Sequence, residues 1–250
     1  MSGHNKWAKI KHTKGKNDAA RGRIFTRLIK EITVAARMGG GDENGNPRLR
    51  KAIQDARGQN MPASNIDRAI KKGTGELEGV NYEEVSYEGY GAGGAALIVD
   101  VVTDNKNRAV SEIRHTFSKY NGTMAASGAV AWMFEKKGII TVHTGGKSED
   151  DLTMIALEAG AEDIKYDPEM SDILTAPAEF DAVREKLTQL GIKIEEANVG
   201  MYPKNTQKLE GKDAEQTLRL VEMLEENDDV QHVYSNFDID DEVMSKAQAA

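Results

Sequence analysis

Between Asp18 and Met38 the apolar positions Phe25, Leu28, Ile29, Ile32 and Ala36 recur at helical spacing. At about 100° per residue they fill one arc of roughly 100°, which predicts a long amphipathic helix. Gly39, Gly40 and Gly41 stop it, and Asp42 to Asn46 form a turn-rich loop. Pro47 suits the first residue of a second helix running to about Arg57, with Leu49, Ile53 and Ala56 on its apolar face. A third, short helix is expected from a capping-box-like pair, Ser64 and Asp67, to Gly73, with Ile66, Ala69 and Ile70 on one side. Ahead of these helices, residues 2–17 have no hydrophobic period and cannot bury enough to fold alone.

Gly73 to Tyr82 reads as a hinge, after which the pattern changes from helical to alternating. Val85 to Tyr90 and Ala95 to Val102 are expected strands, joined through Gly89, Gly91, Gly93 and Gly94. The joint matches G-x-G-x-x-G, but its glycines precede a strand instead of opening a helix, so a hairpin turn is favoured over a dinucleotide cradle. Asp104 and Asn105 cap a helix to about Tyr120, Asn121 and Gly122 turn the chain, and Ala129 to Phe134 are expected to form a strand. From Gly138 the pattern gives strand Ile139 to His143 and helix Asp150 to Ala159 behind the capping pair Ser148 and Asp151. Strands Asp163 to Tyr166 and Asp172 to Ala176, helix Pro177 to Leu190 and strand Lys193 to Val199 complete the ferredoxin-like order β-α-β-β-α-β.

The helix Ala214 to Glu226 and the strand Gln231 to Phe237 lack a sheet of their own. They are what the preceding β-α-β portion needs to complete the same fold. The expected class is therefore α+β multidomain: a helical unit at 1–75, a discontinuous α/β unit at 80–137 plus 202–240, and a ferredoxin-like unit at 138–201 inserted in it. The acidic C-terminus, Asp238 to Ala250, is expected to fray.

Charge changes this picture. The chain carries a formal net charge of −8, yet residues 1–75 hold 17 Lys and Arg against 6 Asp and Glu. A cationic module on an otherwise acidic chain points to a polyanionic partner, with nucleic acid ahead of an anionic membrane. On the first helix Arg23, Arg27, Lys30 and Arg37 fill an arc of roughly 80° opposite the apolar one, a stripe of one sign with Glu31 beside it. The second helix adds Arg48, Arg50 and Lys51, and the third Arg68, Lys71 and Lys72. In the tail Lys6, Lys9, Lys11, Lys14 and Lys16 surround Trp7, with His4 and His12 nearby. That composition suits an extension that tracks a nucleic-acid backbone while Trp7 stacks on a base or packs in a groove. Trp7 and these lysines and arginines are the candidate nucleic-acid contacts. The competing possibility is that the acidic remainder of the chain covers the stripe.

Catalytic and metal chemistry is not legible. There is no cysteine, hence no disulfide, thiol nucleophile or Cys-based zinc site. The five histidines are dispersed without metal-ligand spacing, and no G-x-S-x-G or Walker A loop occurs. A non-enzymatic protein with no cofactor, metal or small-molecule substrate is expected; an enzyme would need a ligand-sized, carboxylate-lined cleft between the two α/β units. Apolar runs such as Ala95 to Val102 are strand-length, and the N-terminus lacks the apolar region of a secretory signal, so no membrane partner and a cytoplasmic address are the default expectations.

Gly3-His4-Asn5-Lys6-Trp7-Ala8-Lys9-Ile10-Lys11-His12, Asn46-Pro47-Arg48-Leu49-Arg50, Asn60-Met61-Pro62, Tyr87-Glu88-Gly89-Tyr90-Gly91, Thr103-Asp104-Asn105 and Asn107-Arg108 stand in this order along the chain. In these motifs, and over its whole length, the chain resembles the YebC family, which includes the mitochondrial translational activator of cytochrome c oxidase subunit I. It departs from the family pattern at Ala92, where Pro is usual, and at Ala109, where Thr is common; both read as local turn or cap changes. The resemblance implies three domains, helical first and α/β twice, the third inserted in the second. It also implies a regulator of gene expression, either a DNA-binding transcriptional regulator or an RNA- or ribosome-binding translation factor, with DNA or ribosomal RNA as partner. Short helices dominated by Lys and Arg suit backbone contacts better than base readout, so any DNA recognition is expected to be weakly sequence-specific.

Overall fold

The computed structural model describes residues 18–240 and 242–244, together with Gly3 and Trp7. Helices α1 (Asp18–Gly39), α2 (Pro47–Gly58) and α3 (Ala63–Thr74) form the first unit around Ile32, Ala35, Ala36, Leu49, Ile53, Met61 and Ile66. One buried side chain fixes the α1–α2 corner. Asn46 caps α2 by accepting from the Leu49 amide at 3.1 Å, while its own amide donates to the carbonyls of Ala35 and Gly40 at 2.8 and 2.9 Å. Pro47 follows at the first helical position, where its missing N–H costs nothing. The capping pair expected at Ser64 is not formed: α3 starts earlier, with Pro62 at its cap and no side-chain cap bond, so Ser64 lies inside the helix. α1 and α3 approach so closely that a Cβ on Gly73 would stand 2.4 Å from the Thr33 carbonyl oxygen.

The rest of the described chain runs β1 (Glu83–Tyr90), β2 (Ala96–Thr103), α4 (Lys106–Lys119), β3 (Thr123–Ala125), β4 (Phe134–His143), α5 (Glu149–Ala159), β5 (Asp163–Lys165), β6 (Met170–Thr175), α6 (Phe180–Gln189), β7 (Ile194–Pro203), β8 (Gln207–Lys208), α7 (Gly211–Glu225), β9 (Val230–Ser235) and β10 (Phe237–Asp238). Two antiparallel four-stranded sheets result, ordered β3-β1-β2-β9 and β5-β6-β4-β7, beside a short parallel pair, β8 with β10. The chain is an α+β multidomain protein. The second sheet has the ferredoxin-like chain order and places β4 and β6 at its centre. The first sheet reaches the same spatial scheme by a permuted route, because its two central strands, β1 and β2, come first as a hairpin and both edge strands follow, β9 only after the excursion through β4 to β7.

Alternation along β2 explains the two faces. Leu97, Val99 and Val101 pack under Ala109, Ile113 and Phe117 of α4 and Ala214, Leu218, Val221 and Leu224 of α7. Ala109 is thus a core position and not the cap change expected; the cap is Asn105, which accepts from the Arg108 amide at 3.0 Å. Ala96 and Ile98 face the other way, into a seam with Val130, Met133, Phe134, Met201 and Tyr234 where the two sheets meet. The glycine-rich joint is a hairpin, Tyr90 pairing with Ala96 around a 3-10 turn at Ala92–Gly94. At the C-terminus Ile239 and Met244 belong to the core of the first sheet, so the described part of the segment expected to fray is packed.

The strand expected at 129–134 is a 3-10 turn, Ala131–Met133, and Phe134 already opens β4. The cause is local. The Glu88 carboxylate, 8% exposed, accepts from the amides of Gly128, Val130 and Ala131 at 2.7, 2.7 and 2.9 Å, leaving these donors unavailable to a neighbouring strand. Burial pushes the Glu88 carboxyl up, but the three amides outweigh it and hold the group below its ordinary value.

Two outcomes follow. Glu88→Ala strands buried donors and should lower unfolding stability near neutral pH by about 2 kcal/mol or more in urea denaturation. Because the folded carboxyl is held low, its contribution is present above the unfolded-state pKa near ~4.3 and lost as pH falls through the folded value; the gap between parent and variant should therefore close in acid. Strand pairing also moves the expected boundaries of the inserted unit, since cuts at 138 and 201 fall inside β4 and β7, whereas Phe134 and Pro203 are paired partners. Replacing 135–202 by two glycines should leave a chain that still unfolds in one cooperative transition by calorimetry, and broad non-cooperative melting would count against an insertion.

Candidate nucleic-acid interface

Lys30 and every residue from Ile32 to Ala36 are buried, a pattern that one amphipathic face cannot produce. α1 lies between its own bundle on one side and the end of α7 on the other. Lys30 Nζ is 2.5 Å from Asp229 Oδ1 and donates to the Asp228 carbonyl at 2.8 Å, with the Tyr82 ring centroid 5.7 Å away. Arg27 Nη2 donates to the Glu225 carbonyl, and Arg23 stands 3.7 Å from the Glu226 carboxylate. A helix C-terminus carries about half a negative charge on carbonyls without intrahelical partners. Much of the stripe read as phosphate-binding therefore meets a different anion, the terminus of α7 with its acidic cap. Burial lowers the Arg27 pKa, the Glu225 carboxylate opposing that shift.

Asp229 is the hub. It lies at 5% exposure and also accepts from Thr103 Oγ1 and Arg108 Nη2, both at 2.8 Å on Oδ2. Its carbonyl takes the Val102 amide at 2.8 Å, extending the pairing of β2 and β9. Arg108 is shared with Asp104 at 2.7 Å. The Thr103-Asp104-Asn105 and Asn107-Arg108 motifs are thus absorbed in holding one carboxylate under one lysine. Burial pushes the Asp229 carboxyl up, but bonds from Arg108, Lys30 and Thr103 prevail and keep it below the usual range.

The other candidates divide. Arg48 clamps Glu31 and Glu84, each at 2.6 Å, tying α2 and α1 to β1; these bonds raise its pKa further. Arg37 donates to the carbonyls of Tyr82 and Val80 at 2.8 and 3.3 Å, and Arg50 to those of Glu43 and Asn44 at 3.0 and 2.8 Å. Trp7 is corrected outright: at 2% exposure it lies in the first sheet's core with Leu97, Leu218, Phe237 and Met244, where no base can reach it. Lys6, Lys9, Lys11, Lys14 and Lys16 lie outside the described residues. On α3, Arg68 and Lys72 are exposed with no ion-pair partner among the described residues. Lys71 pairs only with Asp67, one turn away at 2.9 Å, as Lys51 does with Asp55 on α2 at 3.1 Å. Such exposed i,i+4 pairs hold their lysines weakly.

Sequence reasoning missed Glu225, Glu226, Asp228 and Asp229, although an acidic cluster ending the last long helix was the visible signal. A cavity of about 270 Å³ lies on the second sheet alone, lined in part by Glu135, Glu162 and Asp163. Its carboxylates are occupied by lysines, Lys137 reaching Glu135 and Glu162 at 2.8 and 2.7 Å and Lys165 reaching Asp163 at 2.6 Å. No helix among the described residues is long and apolar enough to cross a membrane.

A basic three-helix unit latched onto the first of two antiparallel-sheet units, the second interrupting the first in the chain, defines a class of protein. Family models for the TACO1/YebC protein N-terminal domain and for the TACO1/YebC second and third domain match residues 5–76 and 82–237. The chain belongs to the TACO1/YebC family. A "Probable transcriptional regulatory protein" of Desulfatibacillum aliphaticivorans is 56% identical over 98% of this chain and all of the relative, and one of Geobacter sulfurreducens is 57% identical over 98% of this chain and 99% of the relative. The crystal structure of a conserved hypothetical protein, Aq1575 from Aquifex aeolicus, superposes with a TM-score of 0.80 at 48% identity, covering 90% of this chain and 93% of that one.

Removing Asp229 tests the latch. Asp229→Ala leaves Lys30 buried without its counter-charge and should cost about 3 to 5 kcal/mol of stability in chemical denaturation. With the folded carboxyl held low, the stabilisation is present above its unfolded-state pKa and disappears as pH falls through the folded value, so parent and variant should converge in strong acid.

Proposed function

We propose that this protein is a non-enzymatic regulator of gene expression that binds nucleic acid through the outer face of α3. The observation that carries this reading is the basic cluster Arg68, Lys71 and Lys72, spaced i, i+3 and i+4 on a short helix, whose one ion pair among the described residues is that of Lys71 with Asp67. Uncommitted cations on one helix face release counterions from a phosphate backbone at little internal cost. Exposed Lys51 on α2 and the tail lysines add to the same charge. The names of the relatives, probable transcriptional regulatory proteins, support regulation of gene expression as the role.

A second reading, binding to RNA or the ribosome as a translation factor, is favoured by the occupation of α1. With that helix engaged inside the chain, the exposed basic helix is one of 12 residues, better suited to backbone contacts than to reading a major groove. The three substitutions Arg68→Glu, Lys71→Glu and Lys72→Glu together should abolish binding while leaving the thermal midpoint nearly unchanged. Each lost phosphate contact should flatten the log-log salt slope by about 0.9 on duplex DNA or about 0.7 on single strands. Retained affinity would move the interface elsewhere. Competition at one physiological salt separates the readings: a promoter duplex beating scrambled duplex by roughly a thousandfold supports transcriptional control, whereas equal competition by scrambled DNA and displacement by ribosomes supports translation.

A further inference from the structure

The two tryptophans of the chain have opposite fates: Trp7 is 2% exposed, and Trp132 is 62% exposed. Large aromatic rings are normally used to bury area, so an indole left in water on a hydrogen-bonded turn calls for a cause. The turn is not loose. Trp132 Nε1 donates to the Ala129 carbonyl at 3.0 Å, the same oxygen that takes the Tyr90 hydroxyl at 3.2 Å. Its main-chain carbonyl accepts Lys204 Nζ at 3.1 Å, and the Lys204 amide donates to the Met133 carbonyl at 2.9 Å. From below, Glu88 holds the amides of Val130 and Ala131. The turn that carries the ring is thereby tied to β1 through Tyr90 and Glu88 and to Lys204 just beyond β7, while the ring itself is fixed by its bond to Ala129. With its only polar atom already bonded, what remains to offer is the π surface.

We infer that Trp132 is a stacking platform for an unpaired nucleobase, with the Lys204 ammonium beside it for the adjoining phosphate. The inference rests on the nucleic-acid reading above and adds a second contact on another part of the molecule, in which a ring face does what charge alone does on α3. A ring face serves any base, which fits a sequence-tolerant binder, and an aromatic with an adjacent cation is how single strands are held. A protein-docking hot spot would instead need packed apolar surroundings. Here the flanking residues Glu135, Lys136, Lys204, Asn205 and Thr206 are exposed and polar, and the other large exposed apolar side chains belong to other elements.

The test uses the full chain and two probes, a single-stranded RNA 12-mer of mixed sequence and the same sequence as duplex DNA. Binding of the single strand should quench tryptophan emission and shield it from acrylamide, since Trp7 is already buried and contributes a constant background. Trp132→Ala should weaken single-strand affinity by about tenfold, leave the salt slope and duplex affinity unchanged, and Trp132→Phe should recover most of the loss. Circular dichroism of both variants controls for folding, which the Tyr90 bond to the same carbonyl should preserve. If the parent binds both probes and Trp132→Ala binds the single strand equally well, the platform is refuted while the α3 reading stands. If the parent binds neither probe, both fall. If the alanine variant keeps its RNA affinity but changes its sedimentation, the ring is a protein contact and the inference is overturned.

Discussion

The contact between Lys30 and Asp229 is the constraint on which the arrangement of the molecule depends. Two charges removed from water cost several kcal/mol each, and their mutual attraction offsets this only when the remaining polar capacity is also satisfied. Here it is. Lys30 has a second acceptor in the Asp228 carbonyl, and Asp229 has donors from Thr103 and Arg108. The pair is therefore defined by its surroundings, and those surroundings come from α1, from the β2–α4 junction and from the α7–β9 loop, three places far apart in the chain. Moving any one of them leaves a buried charge without its partner, which fixes the helical unit against the first sheet.

The second unit is held to the third by an apolar seam organised around another carboxylate. Glu88 differs from Asp229 in having main-chain amides as partners instead of cations, so it shapes a turn and does not join two charged surfaces. The turn it shapes starts β4 and presents Trp132. Carboxylates of the second unit thus position its junctions with both neighbours, Asp229 toward the helical unit and Glu88 toward the third, and the Lys and Glu side chains around the cavity on the second sheet are paired with one another.

This changes how the charge of the chain is understood. A basic first unit and an acidic remainder look like a module with a polyanion waiting outside, yet part of the excess is neutralised internally. Arg23, Arg27, Lys30 and Arg48 serve cohesion between units. Cohesion of that kind leaves available positive charge on α3, with Arg68 and Lys72, and at exposed positions such as Lys51 of α2. In the function proposed, electrostatic attraction of a partner acts on a short helix and not along the longest one.

Much of the fold was legible in the sequence because hydrophobic period and turn chemistry are local. The three helices, the hairpin at the glycines, the Ser148 cap and the ferredoxin-like order all follow from residues within a few positions of one another. Apart from the Ser64 cap, the failures share one cause. Trp7 stands in a lysine-rich tail, and nothing local reveals that it enters the core beneath Leu218 and Phe237. Likewise the strand expected at Ala129 was withdrawn by Glu88, about forty positions earlier. For the basic stripe the ambiguity is physical: a phosphate group and the carbonyl end of a helix with acidic neighbours present the same complement to an arginine or lysine. The amino-acid sequence by itself determined which residues are cationic and which helix face they share. Only the tertiary structure decided which anion meets them, because the C-terminus of α7 arrives from some two hundred residues away, and no local pattern encodes that approach.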